Sequence, residues 1–170
     1  MEPAVKPAVK ATRSGKIGVL ATQTTFSSTR YQSLLERFAQ PYQCFEDPCI
    51  GLVELVEAGR WSAPETESLL KSIIQPMLAE GVDTLVLGCT HYPFVEPLIR
   101  KIVGPAIEII TPAPAIARRL EQILTERNWL NPTVSTEKEK YWVSGNKDAL
   151  EQALKGLDLP QSNIYRFQAQ

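Results

Sequence analysis

A cysteine and the only histidine of the chain lie two positions apart, at Cys89 and His91, directly after a glycine. A thiol beside an imidazole can transfer protons or act as an activated nucleophile, because a neighbouring base favours the reactive thiolate. Taken singly, the cysteine would be read as a small buried hydrophobe and the histidine as a structural residue. Glycine, thiol, hydroxyl and imidazole in four consecutive residues favour a thiol site.

The elements around this segment predict where it lies. An apolar run, 83–87, predicts a short buried strand that ends just before the thiol. Pro93 suits the first turn of a following helix. The thiol and the imidazole are therefore expected at the carboxyl end of a strand, which is where open α/β sheets bind ligands.

The rest of the chain alternates apolar runs with amphipathic segments. Strands are expected at 16–21, 42–46, 83–87, 106–110, 140–144 and 164–167, and helices at 29–39, 51–58, 64–80, 94–103, 112–127 and 147–157. The first strand is continuously apolar without alternation, as is typical of a parallel strand buried on both faces. The pattern predicts an α/β fold, a parallel sheet with helices on both faces.

The string Gly-Cys-Thr-His-Tyr-Pro at 88–93, after an apolar strand, resembles the second catalytic cysteine motif of the glutamate racemases. These enzymes invert L-glutamate to D-glutamate for peptidoglycan without a cofactor, by proton transfer between two bases. The resemblance implies an aspartate/glutamate racemase-like fold and glutamate as the small-molecule substrate. It further implies that Cys89 is the base on one face of the α-carbon, that His91 assists proton transfer and binds substrate, and that Thr90 binds substrate.

The hydroxyl-rich turn after the first strand, 22–28, fits the same resemblance. Similar racemases carry Ala-Thr-x-Gly-Thr here, which implies that Thr22 and Thr25 contact the substrate. Capping of the next helix by these hydroxyls is the alternative interpretation. Thr24 stands where the family has glycine, so this sequence departs from the pattern at that position.

Glu57 ends the stretch Leu-Val-Glu-Leu-Val-Glu at 52–57, on the last turn of a predicted helix. A carboxylate is mildly unfavourable at a helix C-terminus, so its position calls for an explanation. The resemblance implies a catalytic role in which Glu57 faces the active site and pairs with His91. Simple solvation of an exposed carboxylate is the alternative.

The resemblance also predicts the division of the chain. Residues 1–14 look like an inter-lobe linker, 15–111 like a complete α/β racemase lobe, and 112–170 like a segment that completes an N-terminal lobe. The family's Asp-Ser-Gly turn and Cys-Asn-Thr motif, which belong to that lobe, do not occur here. The second lobe is therefore expected to be incomplete, with the missing N-terminal lobe or a second copy of the chain, as a homodimer, as its partner. The chain by itself is expected to be inactive or slow.

Composition excludes several classes of function. A formal net charge of -1 offers no basic surface for nucleic acid, and no apolar run is long enough to span a membrane. Without a signal peptide, a cytoplasmic location is expected. Three cysteines without a Cys-x-x-Cys pair, together with one histidine, make a poor metal-binding set, so no metal is expected. The resemblance to the racemases implies that no cofactor is needed.

Two other functions stay open. Cys89 and His91 could be the attacking pair of a thiol hydrolase or acyltransferase, although a nucleophile and its base normally meet through space and not from positions two apart. A non-catalytic binding remnant is the other. Cys44 and Cys49 precede the wrong helix for a second base, but the residues alone do not exclude them.

Overall fold

The computed structural model describes residues 2–38, 41–131, 133, 138–160 and 163–167. Its first part is built on four parallel strands: β1 (Lys16–Leu20), β2 (Gln43–Asp47), β3 (Thr84–Leu87) and β4 (Glu108–Ile110). Their order across the sheet is β2-β1-β3-β4. The predicted parallel α/β fold is confirmed.

Helices lie on both faces of this sheet. The helices of the first part are α1 (Glu2–Ala11), α2 (Gln23–Phe26), α3 (Thr29–Phe38), α4 (Leu52–Glu57), α5 (Pro64–Ala79) and α6 (Glu96–Val103), with a 3-10 helix at Tyr92–Val95. One core cluster joins the sheet to α4, α5 and α6, and the other joins it to α1 and α3. The sheet is therefore the middle layer of three.

Strand β3 shows why the sheet needs both layers. Leu85 and Leu87 belong to the cluster with α4 to α6, whereas Val86 belongs to the cluster with α1 and α3. All three side chains are at most 1% exposed. On the neighbouring strand, a Cβ at Gly18 would lie 2.5 Å from Leu85 Cδ2, so only glycine leaves room for that leucine.

The segment expected to be an inter-lobe linker, 1–14, contains a helix. Residues 2–11 form α1, whose Ala4 and Ala8 are buried against the sheet. Small side chains let the helix backbone approach closely, so this segment is part of the first core. Whether it also joins two lobes stays a prediction.

The turn after α1 is held by a carboxylate. Asp83, just before β3, accepts hydrogen bonds from the Thr12 hydroxyl at 2.6 Å and from the backbone N–H groups of Arg13 and Ser14 at 2.7 Å each. Partial burial opposes ionisation, but these bonds and one from Thr84 outweigh it and lower the pKa of Asp83 to about 2. This turn fixes the start of β1 beside the start of β3.

The second part of the chain contains α7 (Ala113–Glu126), β5 (Tyr141–Val143), α8 (Lys147–Gly156) and β6 (Ile164–Arg166). β5 and β6 pair in parallel, with α8 as the crossover between them. No residue of α7 is buried. The predicted elements are present, and their assignment to an incomplete second lobe stays a prediction. Within the described residues, no helix combines the length and the apolar character needed to cross a bilayer.

Candidate active site

The strand order places the predicted thiol segment at a switch point of the sheet. From β1 the chain moves to β2 on one side, and from β3 it moves to β4 on the other. A crevice opens at the carboxyl ends of two such neighbouring strands, and ligands of open α/β sheets bind there. Gly88 N–H donates to Leu20 O at 2.7 Å, so the β1–β3 pairing continues up to Cys89. The predicted position of Cys89 is confirmed.

Cys89 and His91 contact each other through their side chains. Cys89 Sγ lies 3.6 Å from His91 Nδ1, within hydrogen-bond range for sulfur, and both residues are partly buried. The turn between β3 and the 3-10 helix brings the two together. The objection that a nucleophile and its base do not meet from positions two apart is therefore wrong for this chain.

Glu57 lies on the other side of the imidazole. His91 Nε2 and Glu57 Oε1 are 3.2 Å apart, with the side chains 33% and 65% exposed. Because a carboxylate is an acceptor, this contact assigns the ring proton to Nε2 and leaves Nδ1 to accept from the thiol. The expected meeting of Glu57 and His91 is present, and the Glu57 side chain is at the same time largely exposed to solvent. Its role stays a prediction.

The threonines that follow β1 lie at the same edge of the sheet. Thr22 precedes α2 in an extended conformation, and its hydroxyl is 3.1 Å from that of Thr25. In the described part of the chain these hydroxyls bond to each other and not to Cys89. Thr24, at the family's glycine position, lies inside α2 and needs no glycine-like backbone. Thr90 is exposed on the turn between Cys89 and His91.

A buried pair beneath the site was not predicted. Cys49, just past β2, is 2% exposed and adopts a left-handed φ of 48°, with its N–H donating to Asp47 Oδ1 at 2.7 Å. Burial raises the pKa of Cys49 to about 12. Among the described residues, the Tyr92 hydroxyl meets no partner at full hydrogen-bond geometry, although the Cys49 thiol lies close enough to affect its pKa. Burial raises the pKa of Tyr92 as well, so both groups are neutral at pH 7.

A cavity of about 670 Å³ adjoins the imidazole. Its walls include Glu57, His91, Trp61 and Phe94 on one side and residues of β5 and α8 on the other. Cys89 does not line it. Sequence patterns could not reveal this cavity, because the residues on its two sides are at least 49 positions apart in the chain.

The described residues contain no group of three metal-ligating side chains close enough together to hold an ion. The three cysteines are free thiols. The arrangement of Cys89 and His91 is chemically suited to moving a proton on and off the sulfur. The expectation that no cofactor takes part stays a prediction.

Residues 1–120 match the sequence profile of the Asp/Glu/hydantoin racemase family. The chain belongs to this family. The glutamate racemase of Ectopseudomonas mendocina is 44% identical over 167 residues, which make up 98% of this chain and 63% of that protein. The racemase-like fold expected from the sequence is thereby confirmed.

Two solved structures show the same fold in glutamate racemases. Isoform RacE1 from Bacillus anthracis superposes with a TM-score of 0.82 at 28% identity, covering 98% of this chain and 62% of that one. The Escherichia coli enzyme, solved with L-glutamate and the activator UDP-MurNAc-ala, gives 0.77 at 27% identity, covering 96% of this chain and 62% of that one. The chain thus spans less than two thirds of the length of these relatives.

Proposed function

We propose that this chain carries one half of a glutamate racemase active site, in which Cys89 is the base on one face of the substrate's α-carbon. The observation that carries the proposal is the series of contacts from Cys89 to His91 to Glu57 at the switch point of the sheet. The relatives named glutamate racemase support glutamate as the substrate.

Each residue of the series has a role that follows from its contacts. As a thiolate, Cys89 removes the α-proton, and as a thiol it returns one from the same face. His91 Nδ1 accepts the thiol proton when the thiolate must form. Glu57 orients the imidazole through Nε2, so that Nδ1 faces the sulfur.

Substrate binding is proposed for the polar groups around the switch point. Thr22 and Thr25 follow β1, and Thr90 follows β3, so all three lie at the edge where the crevice opens. Their hydroxyls, with the imidazole of His91, are suited to the carboxylates and the amine of glutamate.

Inversion needs a second base on the opposite face of the α-carbon. The other two thiols are poorly suited to that role: burial raises the pKa of Cys44 and of Cys49, which keeps both protonated at neutral pH. We therefore propose that the second base lies outside these 170 residues, either on an N-terminal lobe or on a second copy of this chain. D-glutamate would serve peptidoglycan synthesis, and the expected cytoplasmic location stays a prediction.

The test is to incubate the purified chain with each enantiomer of glutamate in D₂O. Optical rotation reports inversion, and mass spectrometry reports deuterium at the α-carbon. Because Cys89 is the only base that the chain supplies, we expect inversion to be slow and only one enantiomer to take up deuterium. Both reactions should be lost in Cys89→Ser. Addition of an N-terminal racemase lobe should restore inversion.

Other results would contradict the proposal. Deuterium uptake that persists in Cys89→Ser would exclude Cys89 as the base. The absence of any exchange, combined with capture of an acyl group from a thioester at Cys89, would instead favour the thiol hydrolase or acyltransferase.

A further inference from the structure

The hydroxyl of Tyr92 is a buried donor without a strong acceptor. Tyr92 is 0% exposed, and within the described part of the chain its hydroxyl oxygen meets no partner at full hydrogen-bond geometry. Most buried hydroxyls in native proteins are hydrogen-bonded, because an unpaired one destabilises the fold. The exception at Tyr92, directly beneath the proposed active site, therefore calls for a functional explanation.

Two thiols flank this hydroxyl. Tyr92 belongs to the same core cluster as Cys49, and Cys89 packs against that cluster. The Tyr92 N–H donates to Cys89 O at 3.3 Å, so the turn that carries the thiol also carries the phenol. Burial raises the pKa of Tyr92, and its neighbours Cys49, Cys89 and Asp47 raise it further. Both thiols are thus close enough to interact electrostatically with the hydroxyl.

The two thiols differ in what they offer the hydroxyl. The Cys49 S–H donates to Asp47 O at 3.5 Å, and burial raises the pKa of Cys49 to about 12, so its sulfur stays a neutral, weak acceptor. Cys89 is only partly buried and contacts the imidazole of His91, which can accept its proton. A thiolate is a charged acceptor, and hydrogen bonds to charged groups are about twice as strong as neutral ones. The acceptor that Tyr92 lacks is therefore formed when Cys89 ionises.

We propose that the Tyr92 hydroxyl is a neutral internal donor, whose hydrogen turns from Cys49 toward Cys89 when the Cys89 thiolate forms. This inference rests on the proposed function, in which Cys89 alternates between thiol and thiolate. The negative charge on sulfur then has a second donor besides the protonated ring of His91. Because Tyr92 keeps its own proton at neutral pH, it stabilises the thiolate without competing as a base.

Tyr92 acts on the reaction only through Cys89, so it is a positioning residue, and its test must separate tuning of the sulfur from support of the fold. The other titratable groups around Cys89 and Tyr92 in the described chain are His91, Glu57, Cys49 and Asp47. Tyr92→Phe removes one oxygen atom and leaves all of these groups in place.

Tyr31 provides the matched control. It is 2% exposed and lies in the cluster with α1 and α3, and its hydroxyl donates to Glu46 Oε1 at 2.6 Å. Thermal melting of the full chain should show lower stability in Tyr31→Phe, which loses a bond, and equal or higher stability in Tyr92→Phe. A loss in Tyr92→Phe as large as in Tyr31→Phe would show that its hydroxyl is already paired and would overturn the inference.

The main measurement uses no glutamate. The rate of Cys89 alkylation by iodoacetamide is followed by peptide mass spectrometry from about pH 6 to about pH 10, where thiols ionise. In Tyr92→Phe the thiolate loses a donor, so the midpoint of this profile should move up by about one pH unit, the lower end of what a hydrogen bond to a charged group contributes. The midpoint should not move in Tyr31→Phe. An unchanged midpoint in Tyr92→Phe would overturn the inference.

The second measurement is deuterium uptake at the α-carbon of glutamate in D₂O near neutral pH, with the same proteins. Uptake should fall by up to about tenfold in Tyr92→Phe, because a smaller fraction of Cys89 is thiolate. Equal uptake by wild-type protein and Tyr92→Phe would overturn the inference and leave the proposed function standing. If no protein exchanges glutamate, the proposed function fails, and the alkylation profile alone decides the inference.

Discussion

The two parts of this chain use the same strand and helix pattern but bury it to different extents. Among the described residues, the buried hydrophobic side chains all lie before residue 111, apart from Leu154 and Ile164. Conversely, the large exposed hydrophobic side chains all lie after it, apart from Ile50. The first part thus has a buried hydrophobic core, whereas the second part exposes apolar side chains to solvent.

The reason lies in the number of surfaces available to each part. Strand β3 has a neighbouring strand on each side and a helix layer on each face. In the part of the chain that the structure describes, β5 has one partner strand, and a two-stranded sheet is marginal in water. An amphipathic pattern therefore predicts a helix or a strand, but its apolar face is buried only where another surface packs against it. We predict that a protein surface outside these 170 residues covers the second part.

The largest effect on stability is expected when one leucine is substituted in each part. Leu85→Ala should lower the free energy of unfolding by about 3 kcal/mol, because the side chain is fully buried and leaves a cavity. Leu120→Ala, on α7 and 55% exposed, should change it by less than about 0.5 kcal/mol. Urea denaturation measures both. Similar losses in the two variants would show that α7 is packed in solution and would break the comparison.

The contact between the two parts can be tested by whether a substitution at Gly156 raises or lowers the stability of the protein. A Cβ at Gly156, at the end of α8, would lie 1.8 Å from the Trp61 ring. If α8 docks there, Gly156→Ala should destabilise by about 1–3 kcal/mol through overpacking. If α8 does not dock, the same change should stabilise slightly, because alanine favours helix. Gly145→Ala, where a Cβ meets nothing within 4 Å, is the matched control in thermal melting.

The α1 turn should make the first part sensitive to acid. The pKa of Asp83 is lowered from its ordinary 3.8 to about 2, so its stabilising effect is present above about pH 4 and is lost as the pH falls toward 2. Because Asp83 is partly solvated, we expect the effect to be about 1–2 kcal/mol. Asp83→Asn should remove this part of the pH dependence in urea titrations between pH 5 and pH 2. An unchanged slope would mean that the turn is held by other contacts.

The smallest effect on stability is expected from substitutions in α7. Replacing Ile116 and Leu120, 51% and 55% exposed, by lysine should change the free energy of unfolding by less than about 0.5 kcal/mol. The double variant should nevertheless bind less of a hydrophobic dye and self-associate less, because it removes exposed apolar surface. Dye fluorescence and light scattering at matched concentration would measure this. A large loss of stability would instead place α7 in the core.

Several features of the site could be predicted from residues alone. The apolar run ending at Gly88 places Cys89 at a strand end, and the structure agrees. The position of Glu57 at an unfavourable helix end correctly signalled a side chain with a partner. Both are local signals, because a strand terminus and a helix terminus are set by neighbours within a few residues.

Other features could not be predicted from the sequence, because they depend on residues that are distant in the chain. The prolines and alanines of residues 1–14 suggested a linker, yet Ala4 and Ala8 pack on the sheet as helix α1. Buried Cys49 and Tyr92 come from segments that follow different strands, and their raised pKa values follow from burial that no local pattern reports. A helix as short as α1 is stabilised mainly by the surface on which it packs.

By itself, the sequence determined the alternation of strands and helices, the thiol at a strand end and the resemblance to racemases. Only the tertiary structure decided the strand order that makes a switch point between β1 and β3, and the contacts of His91 with Cys89 and Glu57. Only the tertiary structure, too, formed the cavity between α8 and the pair of His91 and Glu57. The physical reason is range: backbone propensity and hydrophobic period act over a few residues, whereas distances between side chains are set by how whole layers pack.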